Sequence, residues 1–140
     1  MMNQETEIPL SIIVHIDRFS LNKDLQLEAL QEFKELCLSS GTQVMAEVSG
    51  KIDRPSPNFF IKQGKLEEIK ELVKSNKAHI VIFNNDLTPS QERNLEKFLG
   101  ARVLDRTSLI LDIFATRASS HIGKLQVELA LLTHLSTRLV

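Results

Sequence analysis

Apolar and polar positions change period repeatedly along this chain, and each change marks an element. Ile8 to Ile16 (IPLSIIVHI) is a β-branched apolar run without alternation, which predicts a strand buried on both faces. A turn follows, and from Asp24 to Leu38 the residues Leu27, Leu30, Phe33, Leu36 and Cys37 fall on one face of an amphipathic helix. Ser39-Ser40-Gly41 ends it, with Gly41 suited to the left-handed position after a helix. Thr42 to Val48 alternates and predicts a second strand. Ser49 to Gln63, stiffened by Pro55 and Pro57, predicts a structured loop or small hairpin. A second helix then opens at Gly64 or Lys65, with Leu66, Ile69, Leu72 and Val73 inward. Its Lys70, Lys74 and Lys77 suit the negative end of the helix dipole.

His79 to Phe83 predicts a third apolar strand. The tetrapeptide Thr88-Pro89-Ser90-Gln91 carries a complete start signal: a hydroxyl N-cap, proline at the first helical position, and glutamine three residues on to reach back. Leu95, Phe98 and Leu99 face inward, Gly100 closes the helix, and Arg102 to Leu104 forms a short fourth strand. Strands alternating with helices imply right-handed crossovers. The fold class is therefore α/β, a small four-stranded parallel sheet with flanking helices, over residues 1–105.

Beyond Asp105 the period changes again. Leu111, Ala115, Ala118, Ile122, Leu125, Leu129, Leu132, Ser136 and Leu139 follow a 4-3-4-3 spacing, the seam of a helix that packs lengthwise on another. Only Gly123 and Ser136 weaken it. Residues 106–140 are thus expected to form a long C-terminal helix, one half of a hairpin arm.

Composition narrows the class. With 42% apolar and 25% charged residues the chain reads as a soluble globular protein. No apolar run approaches the roughly 20 residues of a membrane span, so no membrane insertion is expected. The N-terminal segment carries Glu5 and Glu7 and no basic region, which does not fit a secretory signal. The single cysteine, Cys37, reads as a buried core thiol of a cytoplasmic protein. The net charge of -1 conceals an asymmetry: residues 1–50 hold three basic and eight acidic side chains, the remainder fourteen and ten. A polyanion would be met by the second part.

Most catalytic patterns are absent. The glycines at 41, 50, 64, 100 and 123 fit neither a P-loop nor a dinucleotide fingerprint. His15, His79, His121 and His134 are scattered, so no zinc site is expected, and His15 and His79 fall in buried-strand patterns. Asp105 and Asp112 could share one helix face as a carboxylate pair; a helix cap and a salt bridge are the better readings. No nucleophile–base pair stands out. Two basic features remain. In the stretch from Lys51 to Lys65, Arg54, Gly64 and Lys65 either hold phosphate at a helix N-terminus or belong to a rigid connector. On the arm, a helix of about 33 residues and roughly 50 Å, Arg106, Arg117, Lys124 and Arg138 either track an RNA backbone or solvate the helix.

Three long motifs in fixed order then give a resemblance: Asp86-Leu87-Thr88-Pro89-Ser90-Gln91, Val103-Leu104-Asp105-Arg106-Thr107 running through Leu109 to Ala118, and Gly123-Lys124-Leu125-Gln126-Val127-Glu128-Leu129-Ala130. With Arg54-Pro55-x-Pro57 and Gly64-Lys65-x-Glu67-Glu68 upstream, the stretch from Leu36 to Leu139 closely resembles the N-terminal domain of the HflX family of ribosome-associated GTPases. The resemblance implies an α/β domain, then a two-helix arm, then a GTPase domain that binds GTP and Mg2+. It implies a large-ribosomal-subunit partner, with the arm directed toward the peptidyl-transferase region, and a role in splitting stalled or stressed ribosomes. On that basis Arg117, Lys124 and Arg138 are expected to contact rRNA, and Asp105 and Arg106 to anchor the arm. These 140 residues would stop before the returning helix and the GTPase domain, with no cofactor or catalytic residue of their own. Where the family usually has Tyr-Ile-Gly-x-Gly-Lys, this chain has Phe60-Ile61-Lys62-Gln63-Gly64-Lys65, one glycine fewer for cradling phosphate. The alternative is a stand-alone module that forms a homodimer through its uncovered leucine seam.

Overall fold

The computed structural model describes residues 8–18, 22–117, 131, 132 and 134. Strands and helices alternate: β1 (Leu10–Asp17), α1 (Lys23–Ser39), β2 (Gln43–Lys51), α2 (Gln63–Asn76), β3 (Ile80–Phe83), α3 (Pro89–Leu99), β4 (Arg102–Leu104) and α4 (Arg106–Arg117). The strands form one sheet in the order β2-β1-β3-β4, and every pairing is parallel. The α/β fold class read from the sequence is the fold observed.

The sheet has two covered faces. On one, Leu66, Ile69 and Val73 of α2 and Leu95 and Leu99 of α3 pack on Ile12, Val14, Ile16, Val81, Phe83 and Val103. On the other, Phe33 and Cys37 of α1 and Leu109 and Ile113 of α4 pack on Ile13, Ile80, Ile82 and Leu104. β1 and β3 lie in the middle with both faces buried, which is why their sequences show no polar alternation. β2 lies at the edge and runs three residues further than its alternation suggests. Ser11 pairs with Val44 and Ile12 with Ala46, so Met45 is the extra residue of a bulge. The bulge switches faces: Val44 packs with α1 and α4, Ala46 with α2 and α3.

Local signals at the helix ends are kept. Thr88 Oγ1 accepts from Gln91 N at 3.1 Å while Gln91 Oε1 accepts from Thr88 N at 2.9 Å, a reciprocal capping box. Gly41 and Gly100 adopt the left-handed conformation that ends their helices. α2 starts slightly earlier than expected, at Gln63 after Lys62, and Lys77 takes the left-handed position at its end.

The proline connection after β2 is tightly built. Ser56 and Phe60 bridge in antiparallel fashion at 3.1 and 2.9 Å, and Ile61 N donates to Phe59 O at 2.7 Å. Phe60 at the centre of that γ-turn has φ +68°, a strained value for a bulky residue. Burial of its ring edge-on to Phe83, 6.4 Å between centroids, offsets the strain. Gln91 Nε2 donates to Ser56 O (2.8 Å) and Asn94 Nδ2 to Asn58 O (3.0 Å), tying the loop to α3.

Two expectations change. Leu27, predicted inward, is 64% exposed, because α1 touches the sheet mainly through Phe33 and Cys37 further along. His79 is exposed just before β3, with Nδ1 accepting from Leu10 N at 3.0 Å, and His15 is half-buried. The buried face of α4 is Leu109 and Ile113; Leu111 and Ala115, taken from the seam, lie elsewhere on the helix. Leu131 and His134 line the same cleft as Leu111 and Ala115. Beyond Arg117 only residues 131, 132 and 134 are described, so the long helix expected over 106–140 lies largely outside the described residues.

Candidate functional site

Functional side chains gather at the carboxyl ends of β1, β3 and β4, where parallel α/β sheets place their sites. β4 ends at Leu104 and the chain turns into α4 through Asp105, which is 1% exposed. Its Oδ1 accepts from Ser108 N at 2.9 Å and caps α4, while Oδ2 accepts from Leu87 N at 3.2 Å. One carboxylate therefore ties the start of α4 to the segment leading into α3.

Arg106 reaches across the sheet end. Nη1 donates to Asn84 Oδ1 at 2.7 Å and Nη2 to Glu32 Oε1 of α1 at 3.1 Å, while its backbone N donates to Asn85 O at 3.3 Å. Thr107 Oγ1 adds a bond to Asp86 Oδ1 at 2.8 Å. The first residues of α4 are thus bonded to the β3 exit and to α1, and Leu109 and Ile113 follow into the core.

β1 and β3 are central neighbours whose connections leave in opposite directions, so the crevice between their ends is the usual ligand position. Here Asn85 fills it: Nδ2 donates to Ile16 O at 2.9 Å and Oδ1 accepts from Ile16 N at 3.3 Å, prolonging the ladder by a side chain. Beside it, Asn84 Nδ2 lies 2.9 Å from His15 Nδ1. Burial pushes His15 below the ordinary histidine value, and the nearby Asp17 carboxylate partly opposes this. The Asn84-Asn85 pair, Glu32 and His15 were missed as a group by sequence reasoning. Their one local signal is two asparagines directly after an apolar strand.

The other basic residues are dispersed. Arg54 is exposed in the proline loop. Gly64 is exposed in the first turn of α2, a helix whose start has no side-chain cap. Lys65 donates to Ser49 O at 2.9 Å, pairs with Glu68 at 3.1 Å and lies across Gly50, where an added Cβ would come within 3.1 Å of its Cε. A phosphate at this helix start would have to compete with both partners of Lys65. Arg117 is exposed at the last turn of α4. Lys124 and Arg138 lie outside the described residues. Asp112 is exposed, and its backbone oxygen accepts from Thr116 Oγ1 at 3.0 Å. Among the described residues no helix is long and apolar enough to cross a membrane.

Fold and site together define a small parallel α/β domain whose sheet end is closed by asparagines and fitted to hold the base of an outgoing helix. A family profile described as GTP-binding GTPase N-terminal matches residues 27–115. The chain belongs to that family, the N-terminal domain of HflX-type GTPases. It is 51% identical over 130 residues to the GTPase HflX of Escherichia coli, covering 93% of this chain and 30% of that protein. Against the GTPase HflX of Flavobacterium psychrophilum it is 39% identical over 140 residues, covering 99% and 34%. A GTP-binding protein from Sulfolobus solfataricus, solved in complex with GDP, superposes with a TM-score of 0.64 at 27% identity, over 89% of this chain and 36% of that one. The chain therefore spans about a third of the length of these relatives.

Proposed function

We propose that this chain is the ribosome-directed N-terminal module of an HflX-type GTPase, cytoplasmic, with GTP and Mg2+ held by the remaining two-thirds of such a protein. The observation carrying this reading is the 51% identity to a protein named GTPase HflX across almost the whole chain. The geometry supports a division of labour. The sheet domain is a rigid base, Asp105 and Arg106 anchor α4 to it, and the basic side chains beyond the anchor, Arg117, Lys124 and Arg138, contact rRNA. Nucleotide turnover in the parent protein selects which states occupy the ribosome, and the arm acts as a wedge that helps split it. The phosphate reading of Arg54, Gly64 and Lys65 is secondary, since Lys65 already has two partners.

The test is co-sedimentation of the full-length protein with large ribosomal subunits across a salt series. Arg117→Ala, Lys124→Ala and Arg138→Ala together should weaken binding and flatten its salt dependence by up to about three unit charges. Unchanged binding would remove those residues from the interface. A second reading, homodimerisation, is favoured by the exposure of Phe114 (55%) and Leu132 (64%). Sedimentation equilibrium giving a concentration-independent monomer would end it.

A further inference from the structure

Asn84 has one amide orientation that suits both of its neighbours. Arg106 Nη1 donates to Oδ1 at 2.7 Å, and a guanidinium can only donate, so Oδ1 is fixed as the acceptor. Nδ2 is then the amide nitrogen facing His15 Nδ1 at 2.9 Å, and it must donate. His15 Nδ1 is therefore the bare ring nitrogen, and the neutral ring carries its hydrogen on Nε2. A proton added to His15 sets Nδ1–H against the amide NH2, donor against donor. The amide can recover one hydrogen bond by turning its oxygen toward His15. It then presents its NH2 to the Arg106 guanidinium, and that bond is lost instead. Protonated His15 and Arg106 compete for a single oxygen.

We propose that His15 and Asn84 are positioning residues for α4. The neutral imidazole keeps the Asn84 oxygen toward Arg106, and a proton on His15 withdraws that oxygen and loosens the base of the helix. The device lies within four elements: His15 on β1, Asn84 at the end of β3, Arg106 opening α4, and Glu32 on α1 taking the other arm of the guanidinium. The charged groups that line the cavity of about 540 Å³ beside the ring are Asp17 from β1, Lys23 from α1 and Lys51 from β2, with Arg106 and Glu32 beyond Asn84. Of these, the Asp17 carboxylate favours a positive ring, and burial outweighs it and holds His15 below its ordinary 6.5. Because the folded value is depressed, the latched form has its full stability above pH 6.5. That stability declines as pH falls from 6.5 through the folded value. The biological use of this latch rests on the proposed arm role of α4; the latch itself does not.

Nitrogen-15 NMR of histidine-labelled full chain from pH 5 to 8 tests it. His15 should show the Nε2–H tautomer and a midpoint below 6.5. Amide protection at Leu109 and Ile113, corrected for intrinsic exchange, should drop about tenfold through the same titration, the worth of one charge-assisted hydrogen bond. Asn84→Asp supplies a carboxylate that accepts from both neighbours, so it should raise the His15 midpoint past 6.5 and abolish the step in protection. Arg106→Gln should lower protection at every pH and raise the midpoint. An Nδ1–H tautomer, protection that is flat with pH, or an Asn84→Asp protein with both readouts unmoved would overturn the proposal. If a variant fails to fold, the tautomer and pH profile of the unaltered chain still decide. None of these readouts needs ribosomes, so a latch that holds while the arm variants still bind ribosomes normally refutes only the proposed function.

Discussion

The two faces of the sheet are held by different physics. The face under α2 and α3 is a broad apolar cluster reaching from Val48 at one edge to Val103 at the other, with the proline loop sealed over it by Phe60. The face under α1 and α4 buries half as many core residues and relies on polar links at its upper end: Asp105, Arg106, Asn84 and Glu32. Apolar packing is non-directional and hard to adjust, whereas a hydrogen-bonded latch can be opened by changing one partner. The outgoing helix is on the adjustable side.

If that contrast holds, the largest loss should come from the apolar face. Phe83→Ala removes a fully buried ring and should cost about 3–5 kcal/mol, read as a shift in the urea midpoint. Asp105→Ala strips two N–H groups, one buried and one partly buried, of their acceptor and should cost about 2–3 kcal/mol, with α4 amides affected more than those of α2. If α2 and α4 lose protection equally, the two faces are not independently held. Arg106→Ala should change global stability by less than about 1 kcal/mol, since its pair with Glu32 is partly solvated, while exchange at the base of α4 rises. Lys77→Gly carries the opposite sign: it relieves a left-handed non-glycine cap on the apolar-face helix and should stabilise by about 0.5–1 kcal/mol.

Cys37 offers a pH handle on the polar-latched face. Burial pushes its thiol up from 9.0 to about 12. The folded state therefore keeps a proton that the unfolded chain releases, and stability should fall as pH rises from about 9 toward 12. Urea midpoints measured at pH 8 and pH 10.5 check the sign. Replacing Cys37 with alanine should remove that slope while leaving the acid-side slope from His15.

The fold was largely legible because its signals are local. Continuous apolar runs marked the two central strands, and Thr88-Pro89-Ser90-Gln91 marked a helix start that the structure reproduces bond for bond. The motifs from Asp86 to Ala118 were enough to suggest the family. The functional end of the sheet was legible only in pieces. Asp105 could be read as a cap from its place before a helix. That Arg106 would meet Asn84 and Glu32, 22 and 74 residues away, could not, because periodicity carries no information about which loop ends come together.

The sequence by itself determined which elements form and in what order, with their ends placed to within a few residues, since caps, turns and periodicity act over a few residues. Tertiary structure alone decided which helix face became core. α4 offers two apolar stripes, and the sheet selected Leu109 and Ile113 because those are the side chains that reach Ile82 and Leu104 when Asp105 sets the entry of the helix. It likewise decided that His15 would face an amide whose oxygen is already taken, a relation made by strand order and not by spacing along the chain.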